Sequence, residues 1–436
     1  MEEWIQTEWG KADTGDLRLT RRMKSIIASF CAEPSASIPQ AGGDWAHTKA
    51  IYRFLNNKKI TPAVILSPHY QATCERMEGK KVVLAVQDTT YLTYTHEAEG
   101  LGTIGEGTSG MLVHTTLALT PEGIPLGIIH QQSWVRDECE KRRSRRERPI
   151  EEKESDKWRM SLKATEALDT DCCLVNIGDR EADIYELFTS TSFCHLLVRA
   201  AWNRRVDHPE RYLWQHMEAR PVAGYLDVEV PRTKDRPARR ACMEIRYDHV
   251  LIRPPRWRRK LPSISLCVVY IDEPGGDLSW MLLTTLPVDS VDDAKTVVHY
   301  YTRRFSIEIF HKILKSGCKI ETRRLTTIEG LQASLALYSV VAWRIMFLTM
   351  LARGSDLPCT VLFEDHEWKA LVCAVRKTRI PPCTPPSLEE AIFLVAKLGG
   401  FLGRRRDSYP GVQVLWRGLT KLAVLTYAWC AFGPEV

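Results

Sequence analysis

Two acidic residues follow short apolar runs of the kind that form buried strands. One residue separates Asp88 from the end of the apolar run 82–86, and one residue separates Asp179 from the end of the run 173–177. In open sheets, ligands bind at the carboxyl ends of such strands. An Asp after a strand is also a common turn residue or helix cap, so either residue alone is weak evidence of a functional site.

A third carboxylate lies in a segment that we predict as one long helix over residues 290–317. There, Tyr301, Arg304, Glu308 and Lys315 fall in a stripe about 60° wide when each residue turns the helix by about 100°. The alternative is a solvated face with an Arg304–Glu308 ion pair worth about 0.3–0.5 kcal/mol. Helix geometry alone leaves both interpretations open.

Asp88, Asp179 and Glu308 together offer the hard oxygen ligands that Mg²⁺ and Mn²⁺ prefer. Two such ions can activate a water or a 3′ hydroxyl and stabilise the leaving oxygen at a phosphodiester. Arg304 and Lys315 stand near Glu308, where Arg could hold a phosphate bidentately and Lys as a point charge. The residue types therefore predict a metal-dependent site for phosphodiester chemistry.

The elements around these residues predict an α/β fold with a mixed sheet of the ribonuclease-H type. Strands are predicted at 82–86, 111–119, 124–129, 173–177 and 196–198, with helices at 158–168 and 181–188. Because the first three strands have no helices between them, this order favours a mixed sheet over a doubly wound fold. Residues about 202–287 are predicted as a β-rich insertion with strands at 225–230, 241–245, 249–252, 264–271 and 280–285.

Helical regions flank the sheet on both sides. We divide the chain into a helical region 1–72, a catalytic region 73–355 and a helical region 356–436. The first is either a plain helical bundle or a DNA-recognition module, and composition alone does not choose. The apolar stretch 331–352 contains Gln332 and Arg344, and we predict a buried helix and not a membrane span.

Composition adds weaker evidence. The chain has 436 residues and a formal net charge of +6, with five basic runs at 141–148, 253–260, 303–304, 323–324 and 404–406. Single runs are usually solvated surface, but five make a phosphate-binding groove plausible. The thirteen cysteines include no Cys-x-x-Cys pair, which fits a reduced cytosolic protein better than a zinc-binding or secreted one. The N-terminus does not resemble a secretory signal.

Several motifs resemble, in order, those of the DDE transposases of the insertion-sequence-four group, which includes the transposase of transposon Tn-five. The resemblance extends over nearly the whole chain. The matching segments are Gly15-Asp16-x-Arg18, Tyr52-Arg53-Phe54, Val86-Gln87-Asp88-Thr89-Thr90, Glu152-Lys153-Glu154-Ser155-x-Lys157-Trp158, Asp179-Arg180-Glu181-Ala182-Asp183-Ile184, the Tyr301-Arg304-Glu308-Lys315 set and Leu398-Gly399-Gly400-Phe401.

The resemblance implies a role for each motif. It implies that Asp88, Asp179 and Glu308 bind two Mg²⁺ or Mn²⁺ ions. The residues that it implies contact DNA are Tyr301, Arg304 and Lys315, together with Arg22 and Arg53 in the first region and Trp280, which would stack on a flipped base during hairpin formation. A buried strand-edge Trp is the alternative for Trp280. Phe305 departs from the family, where a Trp often follows the motif Arg.

These inferences combine into one expectation and two alternatives. We expect a cut-and-paste DNA transposase that binds double-stranded transposon ends and target DNA. It would act as a homodimer through its C-terminal region, without a membrane partner, in the bacterial cytoplasm. The alternatives are a catalytically silent DNA-binding protein derived from a transposase, and a metal-dependent nuclease without strand transfer.

Overall fold

Five helices open the computed structural model, which describes residues 2–104, 108–136, 153–190, 193–230, 237, 239–353, 356–404, 407 and 409–433. The helices are α1 (Glu2–Trp9), α2 (Leu17–Ala32), α3 (Ile38–Gly42), α4 (Trp45–Leu55) and α5 (Pro62–Met77). Helix α2 begins after Asp16, whose side chain accepts a hydrogen bond from the Arg18 backbone N–H. Its apolar residues Met23, Ile26, Ile27 and Phe30 are buried, as the spacing predicts.

A single mixed sheet of ten strands forms the centre of the molecule. The strands are β1 (Val82–Tyr94), β2 (Gly102–Thr103), β3 (Ser109–Leu119), β4 (Pro125–Trp134), β5 (Cys173–Gly178), β6 (His195–Arg199), β7 (Gly224–Val230), β8 (Arg239–Ile252), β9 (Ile264–Asp272) and β10 (Ser279–Thr284). The order is β2-β3-β1-β5-β6-β10-β9-β8-β7, with β4 also paired to β3. Strands β1, β5 and β6 are parallel, and the other pairs are antiparallel. The predicted mixed sheet of the ribonuclease-H type is confirmed.

Both faces of the central strands are covered, as their continuous apolarity predicts. Leu84 and Val86 of β1 pack into a core that includes α2 and a long helix, α11 (Ile328–Leu351). Val83 and Ala85 face the opposite core, which includes helices α6 (Asp156–Glu166) and α7 (Tyr185–Ser190). Helix α11 is long and apolar enough to cross a membrane, and 78% of its most apolar window is buried inside the protein, so the predicted burial is confirmed.

The remaining helices complete the catalytic region and form the C-terminal part of the chain. They are α8 (Leu213–Glu218), α9 (Val291–Thr302), α10 (Ser306–Lys312), α12 (Asp365–Arg376), α13 (Leu388–Leu398) and α14 (Val412–Phe432). Helices α12 to α14 bury their apolar residues in a core of their own, to which Leu348 of α11 also contributes. The basic run 141–148, Glu152 and residues 405–406 lie outside the described residues.

Four predicted elements differ from the structure. Strand β1 does not end at Val86 but continues to Tyr94, because its second half keeps pairing with β3. The runs 241–245 and 249–252 belong to one long strand, β8. The predicted helix 181–188 is a short 3₁₀ turn followed by α7. The last strand of the predicted β-rich insertion belongs to the central sheet, because β10 pairs with β6, and β9, β8 and β7 follow it in the sheet order.

Candidate active site

The two aspartates meet at the point where β1 and β5 stop pairing. The last pair in this parallel ladder is Val86 with Ile177. Two residues further along the chain come Asp88, which is still in β1, and Asp179, which is the first residue after β5. Asp88 lies inside β1 opposite Thr115 of β3, so the prediction that it stands past the end of its strand is wrong. The functional consequence is unchanged, because both carboxylates still lie at the carboxyl end of the parallel pair.

A chain of buried polar side chains fixes β1 on either side of Asp88. The Gln87 amide nitrogen donates to the Asn176 side-chain oxygen across 2.7 Å, which ties β1 to β5. On the other side, His114 of β3 lies 2.9 Å from the Thr89 hydroxyl and 3.3 Å from the Gln87 side-chain oxygen. Because these bonds hold the residues before and after Asp88, they limit its movement relative to Asp179.

One oxygen of each aspartate is already used by the backbone. Asp88 Oδ1 accepts from the Thr89 N–H at 2.9 Å, and Asp179 Oδ1 accepts from the Glu181 N–H at 2.8 Å. The second oxygen of Asp88 lies toward the basic side chain of Arg304, at 4.0 Å. Each carboxylate is therefore oriented by one hydrogen bond and keeps its other oxygen for a further ligand.

Glu308 reaches this pair through Arg304. The Arg304 Nη2 donates to Glu308 Oε1 at 2.9 Å, while its Nη1 lies 4.0 Å from Asp88 Oδ2. The i,i+4 ion pair is thus present, but it is not the solvated pair of the alternative interpretation. Arg304 is only 11% exposed and lies between two carboxylates, whereas Glu308 is 53% exposed.

The predicted continuous helix 290–317 is interrupted twice, and this prediction is wrong in detail. After α9, residues 303–305 form a 3₁₀ turn, α10 follows, and residues 313–317 form a π-helical turn that contains Lys315. The stripe calculation therefore does not hold across these breaks. Tyr301 is buried with 1% exposure, while Lys315 is half-buried and Glu308 exposed. Single π turns inside helices are frequent at functional sites.

The pKa of Asp88 reports the grouping of the three carboxylates. Burial raises the pKa of Asp88 to about 6, and the negative charges of Asp179 and Glu308 raise it further, while the Thr89 N–H and Arg304 act in the opposite direction. Asp179 and Glu308 are therefore both close enough to Asp88 for their charges to affect its pKa. The residue types, their places after strands and on a helix, and the family resemblance predict these three residues together, and the structure brings them together.

A histidine and an arginine lie next to the triad, and the sequence did not predict either of them there. His311 Nδ1 lies 4.0 Å from Asp88 Oδ2, and burial lowers the pKa of His311 to about 3, so it is neutral. Its Nε2 has no hydrogen-bond partner in the described part of the chain. Arg199, at the end of β6, interacts electrostatically with Tyr301 and Arg304. The sequence could have indicated His311, because it stands three residues after Glu308 and so lies on the same side of a helix.

An aromatic cluster lies beside the carboxylates. Trp280 of β10 is 9% exposed, and its ring stands edge-on to Tyr301 with centroids 5.2 Å apart. Phe305 is 42% exposed, 6.3 Å from Trp280, and the Arg304 guanidinium lies 4.7 Å from its ring. Trp280 is thus mostly buried, whereas Phe305, the residue that departs from the family, is the aromatic side chain that solvent reaches.

The other motif residues organise the region around the site. Lys157 is buried, and its Nζ lies 3.2 Å from Glu181, which connects α6 to the turn after Asp179. Asp183 is fully buried and accepts from the backbone N–H groups of residues 201 and 202 and from Arg204 at 3.0 Å. These acidic and basic motif residues therefore position the loops that follow β5 and β6.

The predicted DNA-contacting residues of the first region lie at the protein surface. Arg22 on α2 and Arg53 on α4 are both exposed, and the structure does not bring them to the triad. At the opposite end of the chain, α14 buries Leu415, Trp416 and Leu422 in its first half. Its second half exposes large apolar side chains, namely Val424, Tyr427 and Phe432 at 60%, 78% and 88%. An exposed apolar helix of this kind is typical of a protein interface.

The donor set of the triad fits a divalent cation. The carboxylates of Asp88, Asp179 and Glu308 supply only oxygen ligands, and two of them keep a free oxygen at the end of the sheet. Mg²⁺ and Mn²⁺ prefer such ligands and retain several waters, which an open group of three side chains allows.

Comparison with known families assigns almost the whole chain. A family model described as transposase DNA-binding matches residues 1–60, the transposase DDE domain matches residues 47–343, and the transposase Tn5 dimerisation domain matches residues 340–430. Among solved structures, a piggyBac transposase synaptic complex with hairpin DNA is similar at 9% identity and a TM-score of 0.39, covering 95% of this chain and 74% of that one. The family matches, which place the triad and its helix inside the DDE domain, show that this chain belongs to the DDE transposases of the Tn5 type.

Proposed function

We propose that the chain is a cut-and-paste transposase whose catalytic carboxylates are Asp88, Asp179 and Glu308. One observation carries the proposal. The two aspartates lie two residues beyond the last parallel pair of β1 and β5, and the Arg304 guanidinium lies between Asp88 and Glu308 of α10. Separate elements thus bring three acids, with one cation between two of them, to a single edge of the sheet, where ligands of open sheets bind.

The proposed cofactor is a pair of Mg²⁺ or Mn²⁺ ions held by the three carboxylates. When bound, two such ions would polarise the attacking and leaving oxygens of a phosphodiester. The chain's own residues orient this ligand set. The backbone N–H groups of Thr89 and Glu181 hold one oxygen of each aspartate, and the second oxygen of each would remain for a cation.

Basic residues around the triad would bind the DNA backbone. Arg304 lies between Asp88 and Glu308, and its planar guanidinium would bind a phosphate of DNA that reaches the triad. Lys315 follows on the π-helical turn, and Tyr301 is buried next to Arg304. Arg22 and Arg53, which are exposed in the region that matches transposase DNA-binding domains, would contact the end DNA at a distance from the chemistry.

We also propose that the second strand is cut through a hairpin, with Trp280 as the platform for a flipped base. Closing a duplex end requires a base to leave the stack at a cost of a few kcal/mol, and stacking on an aromatic ring restores about 1–3 kcal/mol. Trp280 is close enough to take part, because it contacts Tyr301 and Phe305. Since Trp280 is only 9% exposed, the Phe305 side chain would have to move before a base could reach it.

A second copy of the chain is the proposed protein partner. The family match over residues 340–430 describes a dimerisation domain, and within it the second half of α14 presents Val424, Tyr427 and Phe432 to solvent. Pairing two copies there would place one active site at each end of the element. The interface would also remove these side chains from water.

The test is a cleavage assay on the element's own terminal repeats with Mg²⁺. Asp88→Ala, Asp179→Ala and Glu308→Ala are each expected to abolish nicking while binding of end DNA persists, because each removes a metal ligand and no basic contact. Asp171→Ala is the matched control, since Asp171 is exposed just before β5, at the opposite end of the strand from Asp179. Wild-type nicking by any triad variant would refute the assignment.

The two alternative functions are separated by the same assay. A catalytically silent DNA-binding protein would bind the ends without nicking them at any Mg²⁺ or Mn²⁺ concentration. A nuclease without strand transfer would cut the ends but would not join the 3′ ends to added target DNA.

A further inference from the structure

We propose that His208 and Glu210, in the loop after β6, and His216, on α8, form a separate site for one Zn²⁺ ion. One potential ligand atom from each residue lies within 4.8 Å of the other two. Glu210 Oε2 is in contact with His208 Nδ1 and stands 3.9 Å from His216 Nδ1, and the two imidazole rings are 4.2 Å apart. Three ligands therefore converge from a short stretch of sequence.

The observation that points to a ligand is an unsatisfied buried nitrogen. His216 is 2% exposed, and its Nδ1 has no hydrogen-bond partner among the described residues. The distance of 3.9 Å to Glu210 is too long for a hydrogen bond, so this contact does not satisfy the nitrogen. Buried polar atoms normally have a partner, and a metal ion between Nδ1 and the carboxylate would supply one.

The opposite nitrogen of His216 is already oriented for metal binding. Its Nε2 lies 2.7 Å from Asp248 Oδ2 on β8, and Arg220 also contacts this carboxylate. With the proton on Nε2 donated to Asp248, the lone pair is on Nδ1, on the side where His208 and Glu210 lie. A carboxylate that accepts from the far nitrogen of a ligand histidine is a recurrent feature of zinc sites, because it fixes the tautomer and the ring orientation.

The donor set favours zinc over the ions proposed for the catalytic triad. Two imidazole nitrogens and one carboxylate are a common set of ligands for Zn²⁺, whereas Mg²⁺ takes oxygen ligands. His208 and Glu210 are 36% and 34% exposed, so water can occupy a fourth, tetrahedral position. The chain would then carry two chemically distinct cation sites, with oxygen ligands at the end of β5 and mixed ligands beyond β6.

The proposed ion would stabilise a loop that the catalytic motif already holds at one end. Asp183 fixes the beginning of the loop through the N–H groups of residues 201 and 202. His208 and Glu210 stand near its other end, and His216 lies on α8. Zinc bound by all three would fasten the end of the loop to α8, and through Asp248 to β8.

The experiment measures zinc binding by the full-length protein after treatment with a chelator. Competition with a chromophoric chelator, in excess Mg²⁺ and without DNA, is expected to show a tight equivalent of Zn²⁺ that His208→Ala and Glu210→Gln lose. Both residues are partly exposed, so these variants are expected to fold. Asp248→Asn is expected to weaken binding about 10–100-fold. His366→Ala, which changes a partly exposed histidine in the C-terminal region, is the control and keeps the equivalent.

Cobalt substitution distinguishes this site from the cysteines. Co²⁺ bound by two imidazoles, a carboxylate and water gives a tetrahedral d–d spectrum without a thiolate charge-transfer band. A thiolate band, or an unchanged zinc equivalent in both His208→Ala and Glu210→Gln, would overturn the proposal. Glu308→Ala should keep the equivalent, so a failure of the triad assignment and a failure of this site give different results.

Discussion

Replacing Asp88 by Asn should make the metal-free protein more stable while it removes cleavage. Burial, reinforced by Asp179 and Glu308, raises the pKa of Asp88 from an ordinary 3.8 to about 6. A change of that size corresponds to roughly 3 kcal/mol of unfavourable free energy for the ionised form at neutral pH. The side chain is 20% exposed, and solvent screening reduces the effect, so we expect Asp88→Asn to gain about 1–3 kcal/mol.

The sign of the effect can be checked by its pH dependence. Because the folded protein holds the Asp88 proton more tightly than the unfolded chain does, the destabilisation is fully present above pH 6. It declines as the pH falls through this value and vanishes below the ordinary pKa of 3.8. The free energy of unfolding of Asp88→Asn should therefore exceed that of the wild type at pH 7, and this difference should decrease as the pH is lowered to 4.

Chemical denaturation of the chelator-treated protein at several pH values measures this difference. Glu308→Gln is the matched control, because Glu308 is 53% exposed and its pair with Arg304 should contribute less than about 1 kcal/mol. Both variants are expected to lack cleavage, and added Mg²⁺ should raise the unfolding temperature of the wild type more than that of either variant. A loss of stability in Asp88→Asn, or a gain that persists at pH 4, would contradict the electrostatic argument.

Three further predictions concern DNA and the dimer. Arg304→Ala and Lys315→Ala should each lower the log–log salt slope of end binding by about one in a binding titration, and unchanged slopes would exclude phosphate contacts. On gels, the Trp280→Ala variant should nick the first strand but form no hairpin, and a pre-nicked end should not restore the hairpin. Equal loss of nicking and hairpin formation would show that Trp280 is a core residue only. Val424→Asp combined with Tyr427→Asp should leave the end complex monomeric in sedimentation, and a persistent dimer would exclude this face of α14.

Much of the fold could be predicted because the sheet strands are buried on both faces. The runs 82–86 and 173–177 are short and apolar, and the cores on either side account for that pattern. The pattern did not reveal how far β1 extends, because its second half, from Asp88 to Tyr94, alternates exposed and buried residues and pairs on one side only with β3. It also did not reveal that the β-rich region joins the central sheet, since pairing between β6 and β10 depends on residues far apart in sequence.

The site was predictable where residue type and local spacing suffice. The three acids carry a chemical signature, and their approximate positions on strands and a helix follow from the apolar pattern. His311 and Arg199 were missed for different reasons. His311 is an isolated histidine in the sequence, and only folding of α10 against β1 brings it within 4.0 Å of Asp88. Arg199 ends a strand that approaches Tyr301 only after the sheet has formed.

The arrangement also explains how three acids can be assembled at one edge of a folded protein. Burial and mutual repulsion disfavour ionised Asp88, and Arg304 offsets part of this cost because its guanidinium lies near both Asp88 and Glu308. The same side chain is the proposed phosphate contact. A cation among carboxylates can serve both purposes, since a guanidinium has more N–H donors than its hydrogen bond to Glu308 uses. Arg304, which reduces the electrostatic cost of the acidic cluster, is therefore also the residue proposed to contact the backbone of the DNA that the carboxylates would cut.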